Sequence, residues 1–334
     1  MAKEKSKPKD ALETQFGRVI SFGNELLNKK KNLASISVSP SLDLALNGGL
    51  LEGSWTVISG DPKTGKSTTS MHICRKGQDL GRPAIYVDVE TRLKKYNLEG
   101  IKGLDLEKIK IVHAPDEGEP LSGEDFLTIV ENLITRPENA GAVCVIDSVS
   151  SLVPRGELDQ GPSGSIRASL PKLMSHWIKK NAQTVTKNRI VMILITHYIT
   201  NTSGYGKLKN PDGGLMIQYQ MDTRLDVQKN EPWEEGEKKI GQKVSWKVSC
   251  SSNGSSGVDC NSYIRYGTGI DEKKEIIEMA ESFGVIEKSG AWYNIPCIEN
   301  NPKFQGQANL YQYVVSDESA YNLIYAKVNE MMND

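Results

Sequence analysis

Residues 60–67 read Gly-Asp-Pro-Lys-Thr-Gly-Lys-Ser and satisfy G-x-x-x-x-G-K-[ST] at every fixed position. The apolar run 55–59 before them reads as a strand, and the stretch 67–80 after them as a helix. A phosphate-cradling loop between a strand and a helix restricts the fold more than any other feature of the chain. It implies an α/β architecture with a mainly parallel central sheet. The candidate nucleotide-binding residues are Gly60, Asp61, Pro62, Lys63, Thr64, Gly65, Lys66, Ser67 and Thr68. Glycines let backbone N–H groups wrap around phosphate oxygens, and the helix N-terminus adds its positive end. Lys66 would neutralise the β and γ phosphates of ATP, and the Ser67 hydroxyl would hold Mg²⁺.

Four further near-continuous apolar runs, 84–89, 109–113, 142–146 and 190–196, read as strands buried on both faces. Helical stretches at 124–135 and 171–187 lie among them. Several runs deliver a polar residue at their C-terminal ends, the side on which such sheets bind ligands. Asp147 follows the run 142–146 and would hold Mg²⁺ through water. Asp88 stands near the end of the run 84–89 and Glu90 just past it, and alternation places both on one face, so either could activate the water that attacks the γ-phosphate. His197 ends the run 190–196, a place for a γ-phosphate sensor.

Beyond residue 220 the segments 223–228, 243–250 and 262–266 read as short strands that extend the sheet in antiparallel fashion. The chain divides into an N-terminal segment 1–34, a core 35–270 and a small α+β domain 271–334. In the first, Leu12, Phe16, Val19 and Ile20 follow helical spacing, Gly23-Asn24 ends the turn, and Lys29 to Lys31 form a solvated loop. No apolar run approaches the roughly 20 residues that span a bilayer, which excludes a membrane partner. The five cysteines form no C-x-x-C pair, as suits a reducing cytosol, that of a host cell if the chain is phage-encoded.

A net charge of −1 gives no sign of a nucleic-acid partner, but the charge is unevenly distributed. Residues 154–214 hold nine lysines and arginines against three acidic residues, whereas 271–334 hold five lysines against eleven acidic residues. The basic span contains two Gly-rich loops flanking a helix, at about 154–170 and 198–214, which suits a groove that tracks a nucleic-acid backbone. Tyr205 is the candidate stacking residue there. Trp177, among Leu173, Met174 and Ile178, belongs to the core.

Taken together, these segments resemble the RecA-type bacterial and phage recombinases almost from end to end. The distinctive pieces are residues 39–49 (SPSLDLALNGG), Gly213-Gly214 followed by 223–227 (TRLDV), and 287–293 (EKSGAWY). The resemblance implies a RecA-like P-loop ATPase core with a short N-terminal oligomerisation helix and a small α+β C-terminal domain. It implies a DNA-dependent ATPase that forms a helical homo-oligomer on single-stranded DNA and exchanges strands with homologous double-stranded DNA. Glu90 falls at the position of the catalytic carboxylate, and Tyr96 near an aromatic that packs on adenine. Lys247 matches a lysine that reaches the neighbouring subunit's ATP. Arg167, Lys172, Ser175, Lys179 and the Gly213-Gly214 pair match DNA-contacting positions.

Three departures stand out. His197 replaces a glutamine that couples the γ-phosphate to the second DNA loop. Ser245 replaces one member of a lysine pair, leaving Lys247 alone. Pro171 fits as the first residue of its helix after a Ser169 cap. A hexameric motor and a non-hydrolysing DNA-coating protein are the alternatives; the 287–293 segment speaks against the first, and Lys66, Ser67, Glu90 and Asp147 against the second.

Overall fold

The computed structural model describes residues 19, 21–30, 33–159, 169–200 and 209–333. The chain divides into two units, 1–34 and 35–334. In the first, α1 (Gly23–Lys30) is the described helix. Gly23-Asn24 therefore opens a helix where a turn end was expected, and Lys29 and Lys30 close that helix instead of lying in a loop. Leu12 and Phe16 lie outside the described residues.

The second unit begins with β1 (Ser35–Ile36), α2 (Pro40–Ala45) and β2 (Leu50–Leu51), then β3 (Trp55–Ser59), α3 (Lys66–Asp79), β4 (Ala84–Asp88) and α4 (Lys95–Glu99). It continues through β5 (Ile109–His113), α5 (Gly123–Ile134), β6 (Val143–Asp147), α6 (Arg155–Leu158), α7 (Ser169–Lys187) and β7 (Val191–Thr196). The short strands β8 (Tyr198–Thr200) and β9 (Lys209–Pro211) and helix α8 (Leu215–Tyr219) follow. Next come β10 (Thr223–Glu235), β11 (Lys238–Ser251), β12 (Val258–Arg265) and β13 (Gly269–Ile270). The chain closes with α9 (Glu272–Ser282), β14 (Glu287–Ser289), β15 (Trp292–Asn294), β16 (Lys303–Gln305), α10 (Gln307–Ser316) and α11 (Glu318–Asn333).

The nine-stranded central sheet runs β13-β12-β11-β10-β3-β7-β6-β4-β5. Strands β3 to β7 pair in parallel, and every residue of β3, β4 and β7 is buried. Alternate side chains feed two apolar layers. Ile58, Tyr86, Val145 and Ile193 pack with Met71, Ile73 and Cys74 of α3 on one face. Trp55, Val57, Ile85 and Leu194 pack with α5 and α7 on the other. Each fully buried aliphatic side chain contributes about 1.5–3 kcal/mol, so this two-sided burial fixes the register. Trp177 is part of that core: its ring meets Trp55 edge-on at 5.7 Å and its Nε1 donates to Leu127 O at 3.1 Å.

Beyond β3 the sheet departs from expectation. β10 adds in parallel to β3, so only β11, β12 and β13 are antiparallel additions. β10 and β11 also run far past the segments 223–228 and 243–250 and form one long hairpin. Residues 229–243 are mostly polar, with Trp233 and Ile240 only half-buried, because the hairpin leaves the core and loses the strict alternation of a core strand. Arg265 braces its outer half: the guanidinium lies 4.5 Å from the Trp233 ring and 5.3 Å from that of Tyr311, and Nε donates to Asp271 at 2.8 Å.

The three-stranded sheet β14-β15-β16 packs with α9, α10 and α11 around Ile276, Ile286, Tyr293, Leu310 and Ile324. At the N-terminal edge of the central sheet, the buried carboxylate of Glu52 is held by Arg82 and by Arg189 (3.1 Å). These residues precede β3, β4 and β7 and tie the back ends of those strands together. Among the described residues no helix is long and apolar enough to cross a membrane.

Candidate active site

Parallel register lines up the C-terminal strand ends. Ser59 stands beside Thr196, and Asp88 beside Asp147. The Thr196 hydroxyl donates to Ser59 at 3.0 Å. The phosphate loop starts directly after Ser59, and Glu90, Ser148 and His197 lie within two residues of the other ends.

The loop closes on itself. Thr64 Oγ1 donates to Asp61 O at 2.8 Å, and the buried Lys66 ammonium donates to Gly60 O (2.9 Å) and Asp61 O (2.7 Å). Gly65, at φ +90°, caps α3, and a Cβ there would meet Ile264 Cδ1 at 2.5 Å. Burial holds the Lys66 ammonium below the ordinary lysine range, against the opposing pull of Asp147, Asp61 and Glu90. Thr68 continues the first turn of α3.

Asp147 is half-buried at the end of β6. Burial pushes its carboxyl above the ordinary range, and Glu90 and Asp88 push the same way; hydrogen bonds from the Ser67 and Tyr86 hydroxyls oppose them. The Tyr86 bond is 2.5 Å. A hydroxyl and a carboxylate in contact are hard oxygen donors that fit Mg²⁺, and a divalent cation would offset the acidic excess at these strand ends. Among the described residues no three His, Cys, Asp or Glu side chains converge as a metal cage. Ser67 and Asp147 would therefore share the ion with water and phosphate, as Mg²⁺ sites commonly do.

Asp88 and Glu90 separate into different roles. β4 ends at Asp88 and Thr91 adopts φ 52°, so strand alternation does not reach Glu90 as expected from the sequence. Asp88 accepts the backbone N–H groups of Arg92 (3.2 Å) and Leu93 (2.8 Å) and so caps the turn. Glu90 instead faces the neighbouring strand ends. Its Oε1 accepts Ser148 Oγ at 2.9 Å, Ser151 Oγ at 3.0 Å and His197 Nε2 at 3.1 Å, while Arg92 pairs with Oε2 at 2.9 Å. Burial alone would raise the Glu90 carboxyl, but these donors outweigh it and hold it below the ordinary carboxylate range.

His197 is tied on both sides. Its N–H donates to Ser150 Oγ at 2.9 Å, and its carbonyl accepts from Asp212 N at 2.9 Å. That second bond closes the β8–β9 ladder, which leads to Gly213 and Gly214. Both glycines have positive φ, and Cβ atoms there would strike Ile217 (2.3 Å) and Pro171 (2.7 Å) respectively.

Pro171 is the third residue of α7, two residues in from Ser169 and not at its first position; an orphan N–H position in the first turn tolerates it. Lys172, Ser175 and Lys179 share one face of α7, with both lysines exposed. Arg167 and Tyr205 lie outside the described residues. Tyr96 on α4 is 69% exposed, an open aromatic face. Lys247 stands opposite Asp226 and Asp259, in the row that continues through Asp226 to Ser59. Ser245 Oγ donates to Asn261 at 2.8 Å.

Sequence reasoning missed Tyr86, Ser148, Ser150 and Ser151 as partners of the candidate residues. The run 148–151 (Ser-Val-Ser-Ser) directly after a strand-end aspartate was a legible hint. The Tyr86 contact depends on which strand lies beside β4, which the local sequence does not state.

The chain matches the RecA N-terminal domain over residues 6–271 and the RecA C-terminal domain over residues 274–333. Similar curated proteins carry the name Protein RecA. That of Chlorobium limicola is 30% identical, covering 97% of this chain and 90% of its own. That of Chloroherpeton thalassium is 29% identical over 97% and 88%, and that of Thermotoga maritima 29% identical over 99% and 93%.

Proposed function

The chain belongs to the RecA family, and from that premise we propose that its strand-end residues around Lys66 form the ATP-hydrolysing centre of a DNA strand-exchange filament. The family's function is recombination and repair of DNA, and this chain carries it. The observation that carries the proposed mechanism is the convergence of Lys66, Asp147, Glu90 and His197 on adjacent strand ends.

In this reading the loop 60–67 presents backbone N–H groups to the phosphates, and Lys66 exchanges its carbonyl partners for phosphate oxygens. Bound Mg²⁺, held by Ser67 and Asp147, would screen the charge that develops on the transferring group. Glu90 takes a proton from the attacking water. Tyr96 offers its exposed ring to the adenine, and Lys247 adds positive charge at the neighbouring subunit's nucleotide. His197 connects the phosphate site to Gly213 and Gly214 through Asp212. Lys172, Ser175, Lys179 and those glycines contact single-stranded DNA, with a homologous duplex as the second partner.

A strand-exchange assay tests the reading. With ATP, Mg²⁺, a single-stranded circle and a homologous linear duplex, joint molecules should form, and hydrolysis should rise on adding the single strand. A protein that forms no joint molecules and binds no single strand in the presence of nucleotide contradicts it.

A further inference from the structure

Three donors converge on one oxygen of Glu90. An ionised carboxylate oxygen only accepts hydrogen bonds and offers about two lone-pair directions. Oε1 is therefore saturated, and Oε2 is engaged by Arg92. The carboxylate that must receive a proton from water is held at both oxygens, and the same bonds make it less basic.

We infer that His197 and Glu90 form an exclusive latch: without ATP the imidazole restrains the carboxylate, and a γ-phosphate releases it by taking over the single ring N–H. The inference rests on the reading above, in which Glu90 is the base and the phosphate loop binds ATP.

The exclusivity follows from the chemistry of the ring. Because Glu90 only accepts, the proton of a neutral imidazole sits on Nε2. Nδ1 is buried and has no hydrogen-bond partner among the described residues, so it takes no part in holding either group. One N–H cannot serve Glu90 and a phosphate at full strength together. The phosphate carries more charge and is the stronger competitor. When the bond transfers, Oε1 keeps only its two serine donors, and the carboxylate becomes a stronger acceptor for the proton of the attacking water. The backbone of His197 also carries the Asp212 bond, so the same exchange reaches Gly213 and Gly214. A glutamine at position 197 would carry two N–H groups and could hold both acceptors, so the histidine makes the choice one or the other. Ser148 and Ser151 are positioning residues that keep Oε1 at the latch point.

The test compares affinities for a non-hydrolysable ATP analogue and for ADP, both with Mg²⁺. Glu90→Ala removes the competing acceptor, so preference for the analogue should rise roughly tenfold, the equivalent of one charge-assisted hydrogen bond. In His197→Gln protein the same alanine change should alter the preference less than about twofold. Nitrogen-15 histidine spectra give a second readout among four histidines. The His197 Nε2–H signal should move with the analogue, and in Glu90→Ala without nucleotide, but not with ADP. Nucleotide binding with an unchanged preference in Glu90→Ala, or a signal that answers ADP as it answers the analogue, overturns the latch alone. Failure of the unaltered chain to bind either nucleotide overturns the ATPase reading and the latch together.

Discussion

A Cβ placed on Gly214 would lie 2.7 Å from Pro171 Cβ, so the end of one candidate DNA loop seats directly on the helix that follows the other. Gly214 has φ +91° and ψ 173°, a region that side-chain-bearing residues enter at a cost of about 1–3 kcal/mol. Gly214→Ala should therefore shift the loop off α7 and weaken nucleotide-dependent binding of single-stranded DNA by about tenfold or more. Nucleotide affinity should be unchanged. Fluorescence anisotropy of a labelled oligonucleotide with ATP analogue measures the first, and equilibrium dialysis of the nucleotide the second.

Glu90→Gln keeps the shape of the side chain and removes its capacity to take a proton. DNA-stimulated ATP hydrolysis should fall by about 10²–10⁴-fold, while filaments assembled with ATP analogue persist under electron microscopy. Hydrolysis at the unaltered rate would remove Glu90 from the catalytic role.

Lys172 and Lys179 lie on one exposed face of α7, away from Trp177 in the core. Replacing both by alanine should weaken DNA binding evenly across sequences. The slope of log affinity against log salt should drop by roughly one for each phosphate that the lysines no longer neutralise. The thermal transition should stay in place. Trp177→Ala should do the reverse, costing about 3–5 kcal/mol of stability measured by denaturant titration.

Glu275 is fully buried where α9 meets α2. Its Oε1 accepts Ser39 Oγ (2.7 Å) and Ser41 N (2.6 Å), and burial pushes its carboxyl up to about 8. Burial likewise raises Asp43 to about 6. The folded chain then holds protons that the unfolded chain has released, from the ordinary carboxyl value of about 4.5 up to about 8. Stability from this pair is complete below that window and is lost as pH rises through it. The denaturant midpoint should decline across the window, and Glu275→Gln should flatten most of the decline. A midpoint that rises over the same range contradicts the assignment.

What the sequence disclosed depended on the distance over which each feature is determined. The phosphate loop, the apolar strands and the core position of Trp177 are set by adjacent residues, and they appeared where local patterns put them. The surroundings of Glu90 are set by strand register, which brings Ser148 and Ser151 to it from about 60 residues away. No local spacing encodes that meeting. Alternation fails for Glu90 because the strand stops at Asp88, and the full hairpin 223–251 exceeds the expected segments because its outer half is mostly polar and exposed. The parallel placement of β10 came from a crossover past β3, a topological choice invisible in the composition of the strand.

The Glu52 tie gives the sheet a mechanical asymmetry. Arg82 and Arg189 fasten the back ends of three parallel strands to one buried carboxylate. At the front, the corresponding ends meet through single side-chain bonds such as His197 to Glu90. A frame anchored at the rear and lightly joined at the front behaves as a cantilever. Displacement is expressed at the free ends, so exchanging one front bond can deflect the strand tips while the root stays still.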